Sequence, residues 1–563
     1  MTNAAAANGA RSIANGVPAT SNDAATNGVP AMSNAAATNG SSAMSNAAAT
    51  TAVHHVITNG VGNGVPVSGS GRDHVVIFPF MAKGHMLPLL HFATALTAHH
   101  ENLHVTLVTT PGNVPFARTH LPASASIVTL PFPSHPSLPA GVESTDALPC
   151  HSLHLPFLHA TALLRAPFAE YLSSLRPPPL ALVSDFFLGF TRSAAADAGV
   201  PRVVFNGMSC FASAICKALA AAPPASGFGA GAQLIHVPAM PGHVVVRAEE
   251  VPDGVTKRPD PDNPFTRFFV DEIGDSDVRS WGVLVNSFAA VDEDYVPGLE
   301  SFYEPGSRAW LVGPLFLAAA SDDMSPEGKK KEEHDPEGCL SWLDERAPAS
   351  VVYVSFGTQA HVTDAQLDEL VHGLVRSGHP FLWAVRSDTW SPPVDVAVGP
   401  NGRIVRWWVP QRSVLAHEAV GGFVSHCGWN SVMESLAAGK PVLAWPMIAE
   451  QHLNARHVAN ILGAGVRIAV KGGVGSDGVV GRAHVEEKVR ELMDADSKAA
   501  RRMRERAAWA GQEAKAAVSR GGTSAMALKD LVEELQRTYG NVVGNKGANG
   551  VQQIKENGVN GIK

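Results

Sequence analysis

The sequence feature that most constrains the fold is a repeated alternation of short apolar runs with amphipathic runs. Residues 74–79, 105–109, 180–184 and 202–205 form such apolar runs, and residues 87–97 have the pattern of a helix. Strands with apolar side chains on both faces are typical of parallel sheets that helices cover on both sides. The N-terminal part of the chain is therefore predicted to be α/β with a parallel sheet.

The alternation stops at a hydrophilic segment and then starts again. Residues 318–337 contain the mixed charge run 329–333, which indicates a solvated linker rather than a binding patch. Beyond the linker, the sequence has a helical pattern and a second set of apolar runs. These runs lie at 351–356, 381–385, 421–425 and 441–445. We therefore expect two α/β halves with the ligand site in the cleft between them, beyond the carboxyl ends of the strands.

Composition sets the outer limits of these halves. Residues 1–72 consist largely of Ala, Asn, Gly, Ser and Thr, with almost no aromatic side chains, and the Asn-Gly theme returns from about residue 541. Such segments bury too little apolar area to offset chain entropy, so we predict disordered tails at 1–72 and 541–563. The predicted domains are residues 73–317 and 338–520, followed by a C-terminal helix at 521–540.

Charge and cysteine content exclude several classes of function. The chain has 43 Lys and Arg against 51 Asp and Glu, a net charge of −8, so it lacks the basic excess of a nucleic-acid-binding protein. Five widely spaced cysteines favour a reducing compartment over a disulfide scaffold. There is neither an apolar run of the roughly 18 residues a membrane span needs nor a secretory signal pattern. We expect a cytoplasmic protein without stable membrane insertion; a plastid transit peptide is the alternative.

The segment 421–435 joins a predicted strand to a predicted helix through a glycine turn. The strand ends near His426, Gly428 lies in the turn, and the helix is predicted to begin near Ser431. The amide groups and the positive end of such a helix form an anion site, and His426 can donate a hydrogen bond to a phosphate oxygen. Ser431 and Glu434 also match the S-x-x-E capping box, which is a purely structural role. These residues alone leave both interpretations open.

Other nucleotide, hydrolase and metal motifs are weak or absent. Residues 473–478 match G-x-G-x-x-G, but no helix follows directly, so we interpret them as a hairpin turn and disfavour a nucleotide-dependent oxidoreductase. The sequence has no P-loop and no G-x-S-x-G motif. The histidine pairs at 54–55 and 99–100 lack metal-ligand spacing, so no metal site is predicted.

Two polar residues follow strands of the N-terminal half. His85 comes shortly after the first strand, and Asp185 follows the run 180–184. If the two side chains meet at the edge of the sheet, the carboxylate orients the imidazole and makes it a better proton acceptor. A surface histidine and an Asp helix cap are the alternatives that the residues leave open.

Residues 408–451 form a run of 44 residues with many characteristic positions. These positions are Trp408, Val409, Pro410, Gln411, the hexapeptide 426–431, Glu434, Pro441, Trp445, Pro446, Glu450 and Gln451. The run resembles the signature box of the plant UDP-dependent glycosyltransferases, the family 1 secondary-product enzymes. Five further segments resemble the same family: 74–88, 285–288, 312–315, 340–344 and 355–358. Within the first of them, residues 78–85 resemble the flavonol-glucosyltransferase branch of the family. The resemblance implies the GT-B fold, in which two Rossmann-like domains face each other across a cleft.

The resemblance also implies which residues bind a UDP-sugar. Trp408 would stack on the uracil with Gln411 beside it, and Glu434 would bind the ribose hydroxyls. Four polar residues would hold the diphosphate: Thr358, His426, Asn430 and Ser431. Three residues would line the sugar: Trp429, Glu450 and Gln451. Val409 and Gly428 complete the predicted set, and Gln451 at the end of the box resembles the glucose-using majority of the family.

The implied chemistry is inverting glucosyl transfer to an oxygen of the acceptor. His85 would be the general base with Asp185 as its partner, and UDP-glucose would be the donor substrate, with no metal and no cofactor. The acceptor would be a small lipophilic molecule such as a flavonoid, another phenolic or a hormone. Four apolar residues are candidate walls of its pocket, although each fits a hydrophobic core equally well: Phe157, Phe186, Met208 and Phe211.

Two other functions remain open at this point. The same fold and donor would serve a C-glucosyltransferase that acts on a phenolic ring. A catalytically silent UDP-sugar-binding protein is the alternative from another class, although the presence of both His85 and Asp185 disfavours it. The resemblance implies a monomer whose partners are a UDP-sugar and a small-molecule acceptor.

Overall fold

The structure of the chain is a computed structural model that describes residues 73–224, 227–228, 234–256, 264–319, 335–358, 362–406, 408–468 and 478–538. Both predicted tails therefore lie outside the described residues. The same holds for residues 320–334 of the predicted linker, for 473–477 of the predicted hairpin turn and for the last two residues of the predicted C-terminal helix.

Seven parallel strands form the sheet of the N-terminal half, in the order β3-β2-β1-β4-β5-β8-β9. Most strand residues are buried on both faces, which explains the continuous apolar runs of the sequence. The strands are β1 (Asp73–Phe78), β2 (Leu103–Thr109), β3 (Ser126–Thr129), β4 (Ala181–Asp185), β5 (Arg202–Phe205), β8 (Gly282–Val285) and β9 (Arg308–Leu311). A separate antiparallel hairpin consists of β6 (Leu234–His236) and β7 (Val245–Arg247).

Six parallel strands form the sheet of the C-terminal half, in the order β12-β11-β10-β13-β14-β15. They are β10 (Val351–Ser355), β11 (Phe381–Val385), β12 (Gly402–Arg406), β13 (Val420–Ser425), β14 (Val442–Ala444) and β15 (Gly465–Arg467). The α/β fold with two parallel sheets is thus confirmed.

Helices connect most pairs of successive strands in both halves, although none lies in the fully described segment between β11 and β12. In the N-terminal half they are α1 (Lys83–His99), α2 (Val114–His120), α3 (His154–Ala162), α4 (Arg165–Ser174), α5 (Phe190–Ala198), α6 (Cys210–Ala221), α7 (Asp253–Thr256), α8 (Pro264–Phe268), α9 (Asp275–Val278), α10 (Ala289–Asp292), α11 (Val296–Glu300) and α12 (Leu315–Ala318). In the C-terminal half they are α13 (Cys339–Asp344), α14 (Asp364–Ser377), α15 (Gln411–Ala416), α16 (Trp429–Ala437), α17 (Gln451–Arg456), α18 (Arg482–Met493) and α19 (Lys498–Val518), and residues 523–538 form a last helix, α20. Across the described ranges, no helix combines the length and apolarity that a membrane span requires.

The last helix returns to the N-terminal half. Leu531 and Leu535 of α20 are buried in the core that also contains β1 and β2. The indole of Trp310 in β9 donates a hydrogen bond to Asp530 at 3.1 Å, and Arg308 pairs with the same carboxylate at 2.8 Å. The chain therefore crosses twice between the halves, once at the linker and once before α20.

Each sheet has one point at which its strand order reverses. In the N-terminal sheet this point lies between β1 and β4, and in the C-terminal sheet it lies between β10 and β13. Loops on the two sides of such a point diverge and leave a crevice at the carboxyl ends of the strands, where α/β proteins bind ligands. The segments that follow β1, β4, β10 and β13 are therefore the places to examine for a site.

Candidate active site

His85 and Asp185 meet at the strand-order reversal of the N-terminal sheet. Asp185 is the last residue of β4, and His85 lies in the first turn of α1, directly after β1. Nδ1 of His85 lies 2.8 Å from Oδ2 of Asp185. The carboxylate side chain is fully buried, whereas 26% of the His85 side chain is exposed. The bond at Nδ1 leaves Nε2 as the nitrogen that can take a proton from a substrate.

Helix α1 begins earlier than the sequence pattern predicts. It starts at Lys83, four residues before the predicted start, and a side chain from a distant turn satisfies its first amide. Asp146 Oδ2 accepts a hydrogen bond from the Lys83 amide at 3.0 Å. The role of Asp146 is not evident from the sequence, since nothing in a local pattern connects this residue with a helix that begins 63 residues earlier.

The pKa of His85 is raised above its ordinary value. Burial opposes the charged imidazole, but the Asp185 charge and its hydrogen bond outweigh that effect, and the Glu450 and Asp146 charges act in the same direction. His85 is therefore a stronger base than an isolated histidine. This is the property that proton abstraction from a hydroxyl requires.

Asp185 is itself held in place from two sides. Its Oδ1 accepts a hydrogen bond from the Phe187 amide at 3.0 Å, in a turn that follows β4, so it is not the N-cap of α5. The buried Arg202 donates to the Asp185 carbonyl at 3.2 Å and to Ser184 Oγ at 2.8 Å. Arg202 was also missed, although an Arg at the start of an otherwise apolar strand is a visible signal for a buried polar partner.

Aromatic rings surround the imidazole of His85. Phe80 and Phe187 contact it edge to face with ring centroids 5.7 and 5.4 Å away, and Phe186 lies at 6.3 Å. Phe186 is partly buried, as is Met208. Phe80, Phe186 and Phe187 provide an apolar environment next to the base.

Two of the predicted pocket walls belong to the core instead. Phe157 and Phe211 have no exposed surface. Phe157 packs against Phe132 with ring centroids 5.2 Å apart, and Phe211 stacks on His457 at 4.7 Å. The prediction of these two walls is wrong, because tertiary packing closes over both rings.

Helix α16 presents an N-terminus without a side-chain cap at the reversal point of the C-terminal sheet. The helix begins at Trp429, with Gly428 at the N-cap position, two residues before the predicted start. The predicted capping box is therefore wrong, and Ser431 is the third residue of the helix. Its hydroxyl instead accepts a hydrogen bond from Gln411 Nε2 at 3.1 Å. The first amides of α16 keep the capacity to bind an anion.

Gln411 organises a polar cluster beside that helix. Its Nε2 also donates to Glu434 Oε2 at 2.6 Å, and its Oε1 accepts from the Tyr353 hydroxyl at 3.1 Å. Trp408, three residues earlier, is 48% exposed, as a side chain that stacks on a base must be. Val409 is 5% exposed and packs in the core, so a ligand contact from its side chain is ruled out.

His426 lies between two glycines at the end of β13. A Cβ atom on Gly357 or on Gly428 would come within 2.5 Å of the His426 ring, so neither position accepts a larger residue without a shift. Burial, with a contribution from the Arg386 charge, lowers the pKa of His426 to about 4. The imidazole is therefore neutral near pH 7 and can donate one hydrogen bond. Thr358 follows Gly357 and is exposed.

Trp429 does not line the sugar site with its side chain. The residue is 2% exposed, and its indole donates to the Asn286 carbonyl of the N-terminal half at 2.8 Å. Its ring lies parallel to that of His457 with centroids 6.0 Å apart. The predicted sugar contact of this side chain is wrong, because the indole packs between the halves.

Glu450 and Gln451 lie at the start of α17. Burial raises the pKa of the Glu450 carboxyl, while the charge of His85 opposes this shift. Gln451 is 6% exposed, and its Oε1 accepts hydrogen bonds from the amides of Met447 and Ile448, each at 3.0 Å. Its Nε2 group is the part of the side chain that remains for a ligand.

A direct hydrogen bond connects the two halves next to His85. Asn430 Nδ2, in the first turn of α16, donates to the Gly84 carbonyl at 2.7 Å. The predicted base and the predicted diphosphate helix are thus neighbours across the cleft. Within the described ranges, no group of three or more His, Cys, Asp or Glu side chains is arranged to hold a metal ion.

Known proteins resemble this chain in sequence and in structure. Residues 323–491 match the family model described as UDP-glucoronosyl and UDP-glucosyl transferase. UDP-glycosyltransferase 90A2 of Arabidopsis thaliana is 37% identical over 475 residues, which cover 82% of this chain and 98% of the relative. Flavonol 3-O-glucosyltransferase UGT89B1 of Arabidopsis thaliana is also 37% identical, over 70% of this chain and 84% of the relative.

The solved structures give the same result. Glycyrrhiza uralensis UGT73P12, complexed with glycyrrhetinic acid 3-O-monoglucuronide, superposes with a TM-score of 0.74 and 29% identity over 86% of this chain and 100% of that chain. Three observations agree with one another: the fold with its two facing parallel sheets, the site at the points where their strand order reverses, and the similarity over most of the length. The chain therefore belongs to the plant UDP-glycosyltransferase family and has the GT-B fold.

Proposed function

We propose that this protein is an inverting O-glucosyltransferase that transfers glucose from UDP-glucose to a hydroxyl group of a small lipophilic acceptor. The observation that carries the proposal is the His85–Asp185 pair, whose Nδ1–Oδ2 distance is 2.8 Å, beside the uncapped N-terminus of α16. One half supplies a base and the other supplies an anion site. Transfer of a sugar from a nucleotide diphosphate needs both.

The reaction would proceed in a single displacement. Nε2 of His85 takes the proton of the acceptor hydroxyl, and the oxygen attacks the anomeric carbon from the face opposite the diphosphate. The bond between that carbon and the β-phosphate oxygen breaks, so an α-linked donor gives a β-glycoside. The amides of α16 and a hydrogen bond from His426 would stabilise the charge on UDP, and the proposed step uses no metal or cofactor.

The assignment of donor residues follows the exposed and polar groups of the C-terminal half. Trp408 would stack on the uracil, and the polar cluster of Gln411 and Glu434 would bind the ribose. The carboxylate of Glu450 and the amide group of Gln451 would bind hydroxyls of the sugar. Orientation of both substrates in the cleft would contribute much of the remaining rate enhancement.

The acceptor class follows from the apolar environment of the base. Phe80, Phe186 and Phe187 surround His85, and flat apolar molecules with an ionisable hydroxyl fit such a wall. One relative is named for flavonols, which are molecules of this kind. We therefore propose a phenolic acceptor and a flavonoid in particular.

We further propose that the protein acts as a monomer in the cytoplasm. Both halves of the site come from a single chain, which supports a functional monomer. All five cysteines are free thiols, which supports a reducing compartment.

The direct test is turnover with UDP-glucose and a panel of flavonoids, simple phenols and phenolic hormones. We expect UDP release, a product heavier by one glucosyl group, and a proton coupling at the anomeric carbon that indicates a β-linkage. Acid hydrolysis should return the acceptor, because an O-glycoside is cleaved and a C-glycoside is not. UDP-glucose binding without turnover on any acceptor would contradict the proposal and favour a binding protein. Turnover with UDP-glucuronic acid alone would contradict the proposed donor.

A further inference from the structure

A buried carboxamide touches both halves of the molecule behind the cleft. Asn454 in α17 has no exposed surface, and its Oδ1 accepts a hydrogen bond from Ser209 Oγ at 3.2 Å. Its Nδ2 donates to the Cys427 carbonyl at 3.0 Å and to Glu450 Oε1 at 3.3 Å. The Cys427 carbonyl is an acceptor only, so Nδ2 must face it, and the orientation of the amide is fixed.

The Cys427 contact acts on the start of α16. Cys427 has a φ of +64°, a left-handed conformation that is unfavourable for any residue with a Cβ. Its amide donates to Ser425 Oγ at 3.1 Å, so hydrogen bonds hold this residue on both sides. Gly428, the N-cap of α16, follows directly. Asn454 therefore holds the backbone from which the diphosphate helix begins.

The Ser209 contact reaches the acceptor half. Ser209 is fully buried at the N-cap of α6, where its Oγ also accepts a hydrogen bond from the Ala212 amide at 3.0 Å. The hydroxyl thus donates to Asn454 while it accepts from α6, and its orientation is fixed. Ser209 follows Met208, one of the predicted walls of the acceptor pocket.

We infer that Asn454 is a positioning residue: it holds the Glu450 carboxylate in the orientation that binds the donor sugar and couples that orientation to the acceptor half through Ser209. The inference rests on the proposed function, because Glu450 is the sugar contact only if the ligand is a UDP-sugar. The bond to Asn454 favours the ionised form of Glu450, while burial raises the pKa of this carboxyl. A carboxylate that accepts hydrogen bonds from sugar hydroxyls must be kept ionised and oriented.

A double-mutant cycle tests whether Asn454 acts through Glu450. We would measure kcat/KM for UDP-glucose in the wild type, in Asn454→Ala, in Glu450→Ala and in the double variant. We expect Asn454→Ala alone to lower kcat/KM about tenfold, and the double variant to match Glu450→Ala within about twofold. Losses that simply multiply would overturn the inference, because they would indicate a general structural role.

Two further variants keep the cycle interpretable. If Asn454→Ala does not fold, Ser209→Ala replaces it, and we expect a loss of about threefold that disappears when Glu450 is Ala. Ser435→Ala is the matched control, because Ser435 is as buried as Asn454, lies in the same half as Asn454, and has a hydroxyl that donates to the Lys440 carbonyl at 2.9 Å. Its effect should be the same with and without Glu450.

The failure of this inference can be told apart from the failure of the proposed function. If the wild type turns over but Glu450→Ala keeps the full kcat/KM, Glu450 is not a sugar contact and the positioning role is overturned while the transferase remains. If the wild type binds UDP-glucose without turnover, the same cycle is measured as UDP-glucose affinity by calorimetry. If the wild type does not bind UDP-glucose, both proposals fall.

Discussion

At the scale of single residues, the proposed chemistry depends on how the environment of His85 changes the basicity of its imidazole. The imidazole loses solvation, which favours its neutral form, but an adjacent buried carboxylate outweighs that loss. The two residues are 100 positions apart in sequence and meet because β1 and β4 are neighbours in the sheet. A substitution that removes the charge of Asp185 therefore tests its effect on the basicity of His85.

Asp185→Asn should lower kcat about 100-fold or more, because the amide keeps the shape but no longer stabilises the imidazolium that forms in the transition state. The acid limb of the pH profile of kcat/KM should also move to lower pH. The Asp185 charge raises the pKa of His85, so its removal lets the imidazole lose its proton at a lower pH. A limb that stays in place or moves upward would contradict the role of Asp185.

Asp146→Asn should act in the same direction but more weakly. The charge of Asp146 makes the smallest contribution among the groups that raise the pKa of His85, and its carboxylate accepts a hydrogen bond from the Lys83 amide at the start of α1. We expect a loss in kcat of less than about tenfold and a smaller shift of the acid limb than in Asp185→Asn. Comparison of the two pH profiles checks this order, and a larger effect of Asp146→Asn would contradict it.

At the scale of elements, the proposed anion site depends on two backbone segments that lie very close to the His426 ring. Gly357 and Gly428 flank His426 so tightly that a methyl group at either position would meet the ring. The first amides of α16 then lie beside the imidazole with no side-chain cap of their own. The geometry of two turns, rather than any single side chain, therefore determines the proposed diphosphate site.

Gly357→Ala should raise the KM for UDP-glucose about tenfold, because the new Cβ displaces His426. Gly378→Ala is the matched control, since Gly378 has a φ of +78° against +72° for Gly357 and a Cβ added there would meet nothing within 4 Å. Both variants should lose about 1 kcal/mol of stability from the left-handed backbone. Only Gly357→Ala should lose donor affinity, and an equal KM in the two variants would refute the crowding argument.

Some elements could be predicted from the sequence, and others could not. The apolar runs predicted β1, β4, β10 and β13, because strands buried on both faces leave a continuous apolar signal. The start of α1 was missed, since Asp146 caps it from a distant turn. The Ser431–Glu434 capping box failed for a related reason, because the N-cap of the helix is Gly428 and Gln411 binds both side chains.

At the scale of the whole molecule, the relation between the halves could not be read from any local pattern. Phe211 and Trp429 are apolar residues near predicted ligand segments, and whether such a ring lines a pocket or fills an interface depends on the packing of the other half. Both rings contact His457, a residue with no exposed surface. The interface also contains a buried charge cluster that the sequence did not predict.

Glu250→Gln should destabilise the protein by about 3 kcal/mol, because it leaves two largely buried arginine side chains without their carboxylate. Glu250 has no exposed surface, accepts from Arg456 at 3.0 Å and pairs with Arg467, and both arginines belong to the other half. Chemical denaturation measures the change. Glu533→Gln is the control, since its pair with Lys529 is exposed, and it should change stability little. Equal effects would contradict a structural role for the cluster.

The most direct test of the central claim is the rate of UDP release in variants of two histidines from one helix. Wild type, His85→Ala and His99→Ala are compared with UDP-glucose and the acceptor that the panel identifies. His99 is exposed at the other end of α1, so its variant controls for changes to the helix. We predict a loss of about 100-fold or more in His85→Ala and wild-type rates in His99→Ala. An undiminished rate in His85→Ala would contradict the assignment of the base.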